Sequence, residues 1–215
     1  MLGATTVSEG LEAHRGLVQQ RVDDAPGERV DGRPLVVVEV GQPPLEALHL
    51  CLAYRLGALS QRAGDFAGAE AAYMEMAAAF PDSPEPDFRL GALYGALERW
   101  PEAAARYDAA LERAPGAPEI LRGAAEARRM TGEGALAVGY AERLANRVEA
   151  APGDHFLLAV LLQGEGRADA AADRYRRTIA VEPDHWPSLN NLAVILTEEG
   201  DLDEALRLAG RASEL

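Results

Sequence analysis

Apolar and small residues recur along this chain with a period of 34 residues. Gly64-Asp65-Phe66 with Ala69 and Tyr73 returns as Gly166-Arg167-Ala168 with Ala171 and Tyr175, and again as Gly200-Asp201-Leu202 with Ala205. A period of this length with small residues at fixed places predicts stacked helix-turn-helix units, each using its neighbours to bury its apolar face. With the register set by Gly64, the units are residues 50–83, 84–117, 118–151, 152–185 and 186–215, with no insertion between them. Helix breaks are predicted at Gly64, around Arg99 to Pro101, at Gly132 to Gly134, at Gly164 to Gly166 and at Gly200. Pro81, Pro115 and Pro183 should end the second helices, because proline has no N–H for the helical ladder and its ring clashes with the preceding turn.

The second unit carries Leu90, Gly91, Tyr94, Ala103, Tyr107, Ala110 and Pro115, and the fourth Leu158, Ala159, Leu162, Ala171, Tyr175 and Pro183. The fifth carries Leu189, Leu192, Ala193, Leu196, Ala205, Ala209 and Ala212. On these residues the chain resembles the tetratricopeptide repeat family over roughly three quarters of its length. The resemblance implies an all-α fold, a right-handed alpha-alpha solenoid of helix pairs. A non-repeat segment, residues 1–49, would precede it and could include one strand or hairpin. Gly57, Gly91, Ala69 and Ala103 would let paired backbones approach closely. Leu56, Leu90, Leu158 and Leu192, with Tyr73, Tyr107 and Tyr175, are expected in the core, each contributing roughly 1.5–3 kcal/mol if fully buried.

The third unit departs from the pattern. Glu149 stands where the closing proline belongs, Ala141 replaces the aromatic, and Arg128 occupies a usually apolar position. A longer second helix reaching Ala150 is expected there, and the unit should be the point of flexure. In the fifth unit Leu189, Leu192, Leu196, Leu202, Leu206 and Leu208 are candidates for a partly exposed stripe, since nothing stacks on a terminal repeat. Two readings follow: the natural chain continues past Leu215, or this face binds something, a second copy included. Before the repeats, residues Val7 to Val22 could form a helix capped by Ser8. Leu35 to Val40 is a short β-branched run of strand character, with Asp31-Gly32 able to turn a hairpin just ahead of it.

Composition changes this picture little. The chain has 215 residues and a formal net charge of −14, and all 21 of its basic residues are arginine. That charge argues against nucleic acid and anionic membrane surfaces as partners, both of which require neutralisation of phosphate or headgroups. Cys51 is the only cysteine, so no internal disulfide or cysteine-based metal site can form, and a reducing, cytoplasmic compartment is expected. The first twenty residues lack a basic start followed by an apolar run, and no stretch has the apolar length of a membrane span. His14, His49, His155 and His185 are scattered, and no pair has the spacing that places two ligands on one helical face. Without lysine there is no phosphate-binding Gly-x-x-x-x-Gly-Lys loop. Glu198, Glu199, Asp201, Asp203 and Glu204 read as solvated acids at a repeat turn. Neither a catalytic residue nor a cofactor is expected.

Function is therefore sought in binding. In the tetratricopeptide family the first helix of each unit lines the concave surface. Carried onto this chain, the resemblance implies a groove of Tyr54, Arg55, Arg62, Phe88, Arg89, Arg122, Glu126, Arg129, Phe156, Gln163, Asn190 and Asn191. Arginine and aromatics are the types most enriched at binding hot spots. Arg122 lies three residues after Glu119 and four before Glu126, a spacing that predicts local ion pairing. Arg55 and Arg62 have no acid at that spacing within their own helix, which makes them the candidates for an acidic or C-terminal carboxylate group on a partner. Two functions fit: an interaction scaffold or adaptor for a protein or peptide, with a homo-oligomer through the uncapped C-terminal helix pair open; or the substrate-recognition region of a larger enzyme of glycosyl or sulfo transferase type.

Overall fold

A computed structural model of the chain describes residues 29–30, 33–34 and 45–215. Ten α-helices and two two-residue strands lie among them. The chain divides into two compact units, one up to Pro86 and one from Asp87 onward.

In the first unit, β1 (Arg29–Val30) and β2 (Arg33–Pro34) pair antiparallel, with Val30 opposite Arg33. Asp31-Gly32 stands between the two strands in sequence. The stretches Val7 to Val22, with its Ser8 cap, and Leu35 to Val40 lie outside the described residues. Helices α1 (Leu45–Arg62) and α2 (Phe66–Ala79) pack against each other. Their closeness requires glycine at 57, where a Cβ would stand 2.4 Å from Cε1 of the buried Tyr73 ring. Asp65 starts α2 by accepting a hydrogen bond from the Gly68 N–H.

The first unit also overturns one expectation. Leu56 is exposed, as are Leu48, Leu52 and Leu59 on the same face of α1. Leu158 and Leu192, at the same repeat position, are buried in a cluster that includes Ala137, Val138 and Ala141 of the preceding pair. Among the described residues no helix precedes α1 to cover this face, and an intrinsically apolar position is exposed.

The second unit runs through α3 (Glu85–Ala96, entered at its third residue), α4 (Trp100–Arg113), α5 (Pro118–Met130), α6 (Gly134–Ala145), α7 (Pro152–Gly164), α8 (Ala168–Val181), α9 (Trp186–Glu199) and α10 (Leu202–Ser213). This is an all-α helical repeat fold. Prolines in the first turns of α4, α5, α7 and α9 supply the φ a helix start needs and forgo an N–H that would be unpaired there. Helices α4 and α8 stop two residues before Pro115 and Pro183, as α2 stops before Pro81. The turn inside each pair passes through a left-handed residue at one repeat position, Gly64, Gly132, Gly166 and Gly200, with φ between 74° and 88°. At 98 the same position is held by Glu98, whose φ is 58°.

Two further expectations are corrected here. Helix α6 ends at Ala145 instead of extending to Ala150. Pro152 opens α7 and holds Ala151 extended, so residues 146–151 must form the turn that a closing proline shapes elsewhere. Ala141 is buried without its aromatic, and the neighbouring Tyr140 instead donates a hydrogen bond to Asp108 on α4 at 2.6 Å. Arg128 reaches the same Asp108 and Glu133, which explains a cation at a usually apolar place. In the fifth pair Leu189, Leu192 and Leu196 are buried, and only Leu202 and Leu206 of the expected stripe are well exposed. The former belong to α9, which packs on both α8 and α10.

Candidate protein-binding face

Phe88 on α3, Arg122 on α5, Phe156 on α7 and Asn190 on α9 hold one repeat position, 34 residues apart. The next position along each helix is Arg89, Gly123, Leu157 and Asn191. Helical geometry sets these residues in rows, since equivalent positions of stacked helices point the same way.

Each lining phenylalanine rests on a buried tyrosine of the second helix in its pair. Phe88 and Tyr107 have ring centroids 6.2 Å apart at 50°, and Phe156 and Tyr175 have 6.0 Å and 51°. Such tilted pairs bring the positive edge of one ring to the negative face of the other. The Arg89 guanidinium lies 5.1 Å from the Phe88 ring centroid, and the His185 ring is 4.8 Å from that of Phe156. Both phenylalanines remain half-buried, so each keeps part of a fixed apolar surface open.

The tyrosines are held from both sides. Tyr107 sits between Gly91 of its own pair and Gly123 of the next, where a Cβ would approach its ring to 2.9 Å and 2.3 Å. Tyr175 has Asn191 at the place of Gly123, and the Asn191 amide donates to the Tyr175 hydroxyl at 3.1 Å. That hydroxyl donates in turn to Gln163 Oε1 at 2.8 Å. Burial raises the pKa of both phenols, so they stay neutral donors throughout the ordinary range. Gln163 and Asn191 are thereby oriented by a buried group, while Asn190 is exposed beside them, its amide 3.5 Å from Asn191 Oδ1.

The cations on this face are largely spoken for. Arg122 does not pair with Glu119 or Glu126 as its spacing suggests. Its Nε and Nη2 donate to Oδ1 of Asp154 at 2.9 and 2.7 Å. Asp154 is 1% exposed, and its other oxygen accepts from the Ala151 N–H at the start of α7. A carboxylate so buried requires a charged partner, and Arg122 of the preceding pair supplies it. Glu126 is taken by Arg129, which donates from both Nε and Nη2 and holds the Glu126 carboxyl below its ordinary pKa. Sequence reasoning missed Asp154, whose signal was its place two residues after the helix-opening Pro152. In the first unit Arg55 and Arg62 are exposed on α1 and Tyr54 is half-buried; neither arginine makes an ion pair among the described residues.

No group of histidine, cysteine, aspartate or glutamate able to hold a metal ion occurs among the described residues. Glu198, Glu199 and Asp203 are exposed, and Asp201 caps α10 through the Glu204 N–H. No helix among the described residues is long and apolar enough to cross a membrane.

Residues 88–155 and 156–214 each match the family model described as tetratricopeptide repeat. Among solved structures, the MamA protein superposes with a TM-score of 0.71 at 21% identity, covering 77% of this chain and 91% of that one. MamA 41-end from Desulfovibrio magneticus RS-1 gives 0.71 at 17% identity, covering 78% and 94%. YrrB, described as a TPR protein with an unusual peptide-binding site, gives 0.67 at 18% identity, covering 75% and 84%. These likenesses concern the fold alone. The probable biofilm formation methyltransferase WspC of Pseudomonas putida strain KT2440 is 34% identical over 100 residues, or 46% of this chain. The match spans only 23% of that protein's length.

Proposed function

Because this chain belongs to the tetratricopeptide repeat family, we propose that it is a non-catalytic scaffold or adaptor of the cytoplasm. It receives an extended segment of a protein partner along the first helices of its repeats. The observation that carries this reading is the repeated unit of a half-open phenylalanine backed by a buried tyrosine, Phe88 on Tyr107 and Phe156 on Tyr175, in nearly the same geometry. Rigid, partly open aromatics are what apolar side chains of a peptide dock against at low entropic cost. Asn190, Asn191 and Gln163 supply amides for the peptide backbone, two of them already oriented by Tyr175. Arg55 and Arg62 would meet an acidic or C-terminal carboxylate group, while Arg122 and Arg129, engaged with Asp154 and Glu126, would act as shape more than as charge. The peptide-binding site attributed to YrrB supports this use of the fold.

The test is affinity capture from the source cells with the intact chain and with a Phe88→Ala, Phe156→Ala variant whose far-UV circular dichroism matches. Proteins lost only from the variant, and binding the intact chain in titration calorimetry, are the expected result. Identical captures would refute the assignment of this face.

A second reading is favoured by one observation, the 34% identity to part of a protein named a methyltransferase. The repeats would then be the partner-recognition region of a larger protein of that class, in place of the glycosyl or sulfo transferase suggested by sequence. Reading the genomic frame on both sides of residues 1–215 decides it: a methyltransferase domain in frame supports this version, and stop codons on both sides remove it.

A further inference from the structure

One ion-paired position of the repeat loses its acid between α7 and α8. In the pair formed by α3 and α4, the buried Asp87 accepts from Arg106 Nη1 at 3.0 Å through Oδ1 and from Arg113 Nη1 at 3.1 Å through Oδ2. Two periods on, Asp87 becomes His155 on α7 and Arg106 becomes Arg174 on α8. The pairs on either side hold Leu121 with Tyr140 and Leu189 with Leu208 at these two positions, so no cation there needs an acid. Arg174 is half-buried and makes no ion pair among the described residues. Its Nη1, like Nδ1 of His155, is shut off from solvent without a hydrogen-bond partner. A guanidinium partly withdrawn from water without a counterion carries a desolvation cost that the Asp87 arrangement offsets.

A second cation is released at the same place. Arg143 and Arg211, one period before and one after Arg177, donate through Nη2 to the carbonyls of Pro115 and Pro183, the prolines that close the preceding pairs. The residue at that place for Arg177 is Glu149, in the turn that lacks the closing proline, and Arg177 makes no such bond. Asp173, four residues before Arg177, pairs instead with Arg176 at 3.6 Å. Burial, then Arg174 and then Arg177 lower the pKa of His155, so both guanidinia act on that ring. The acid that acts on it in the opposite sense is Asp154, whose Oδ1 already accepts twice from Arg122.

We propose that Arg174, Arg177 and His155 form a binding site for a carboxylate supplied from outside the chain, in place of the acid that Asp87 supplies within its own pair. The ligand oxygens accept from open N–H groups of the two guanidinia, as the two Asp87 oxygens accept from Arg106 and Arg113. Such charge-assisted hydrogen bonds are about twice as strong as neutral ones. The three residues are separate from those assigned to peptide binding, so the site holds whether or not that face does.

The test is a titration of the full chain with glutarate at constant ionic strength and about pH 7.5, where the ring is neutral, following the His155 imidazole and the Thr178 amide by NMR. Inorganic phosphate and the peptide acetyl-Ala-Glu-Glu-Ala-amide are parallel arms. Glutarate should move both signals along a saturating curve, and Arg174→Gln and Arg177→Gln should each weaken the apparent affinity about tenfold. His155→Asp restores the acid from within: glutarate should no longer shift the Thr178 amide, and the urea midpoint should not fall below that of the wild-type chain. A peptide that binds more tightly than glutarate assigns the carboxylate to a protein partner, equal affinities assign it to a free acid, and both support the site. Shifts that do not saturate, shifts unchanged in the two arginine variants, saturation by phosphate alone, or a lower midpoint for His155→Asp overturn it. Arg177 is exposed, so Arg177→Gln keeps the comparison should Arg174→Gln not fold.

Discussion

A methyl group added at Gly123 tests the packing that sets the binding face. Alanine is favoured over glycine in a helix interior by about 1 kcal/mol, so on propensity alone Gly123→Ala in α5 should stabilise. The structure opposes this. The new Cβ would stand 2.3 Å from Cζ and 2.5 Å from Cε1 of Tyr107, where ordinary contact begins at 3.4 Å. The ring has nowhere to retreat, because it is buried and lies against the backbone at Gly91 on its other side. Overpacking of this kind costs about 1–3 kcal/mol, so the net effect should be a loss of roughly 1 kcal/mol after the propensity gain. Gly139 is the control: it lies inside α6, and a Cβ there meets nothing within 4 Å, so Gly139→Ala should gain up to about 1 kcal/mol. Urea unfolding followed by circular dichroism reads both as opposite shifts of midpoint at constant slope. In a double-mutant cycle, Tyr107→Leu should remove most of the penalty of Gly123→Ala, giving a coupling above about 0.5 kcal/mol. If Gly123→Ala stabilises the chain as much as Gly139→Ala does, the tyrosine is not wedged between repeats and the reasoning fails.

Other expectations follow from single contacts. Glu98→Gly should raise stability by about 0.5–1 kcal/mol in thermal unfolding, because it relieves a left-handed conformation that glycine adopts freely at the four equivalent turns. Asp154→Ala removes both the Arg122 ion pair and the hydrogen bond to the Ala151 N–H, and should cost about 2–3 kcal/mol in urea. Tyr175→Phe should cost about 1 kcal/mol and weaken partner binding measured by calorimetry, since Gln163 and Asn191 lose the hydroxyl that orients them. Burial, followed by Arg174 and Arg177, lowers the pKa of His155. The unfolded chain therefore takes up this proton first as pH falls; the stability linked to His155 is present above the ordinary imidazole pKa and is lost below it. Between about pH 7 and pH 5 the wild-type chain should lose more stability than His155→Gln, and parallel pH profiles would contradict this.

What the sequence by itself determined is whatever depends on a residue and its neighbours within a turn or two of chain. The period, the five breaks, the helix ends before Pro81, Pro115 and Pro183, and the burial of Tyr73, Tyr107 and Tyr175 belong here, because backbone dihedrals, caps and the size of side chains at fixed repeat positions are local properties. The alignment of Phe88, Arg122, Phe156 and Asn190 was also legible, since equal spacing places them alike on successive helices. Only the tertiary structure decided what depends on a partner from another pair. Leu56 reads like Leu158 and Leu192, yet it is exposed, with no helix before α1 among the described residues to cover it. Arg122 has acids three residues before it and four after it, yet it binds Asp154, 32 residues away, because a buried carboxylate outcompetes solvated ones for a cation. By spacing, Leu189, Leu192 and Leu196 belong with Leu202, Leu206 and Leu208 to one candidate stripe, but α9 packs on both α8 and α10, and the well-exposed positions are Leu202 and Leu206 on α10. A repeat pattern records which positions can be buried; whether they are is decided by whether a neighbouring helix stands against them.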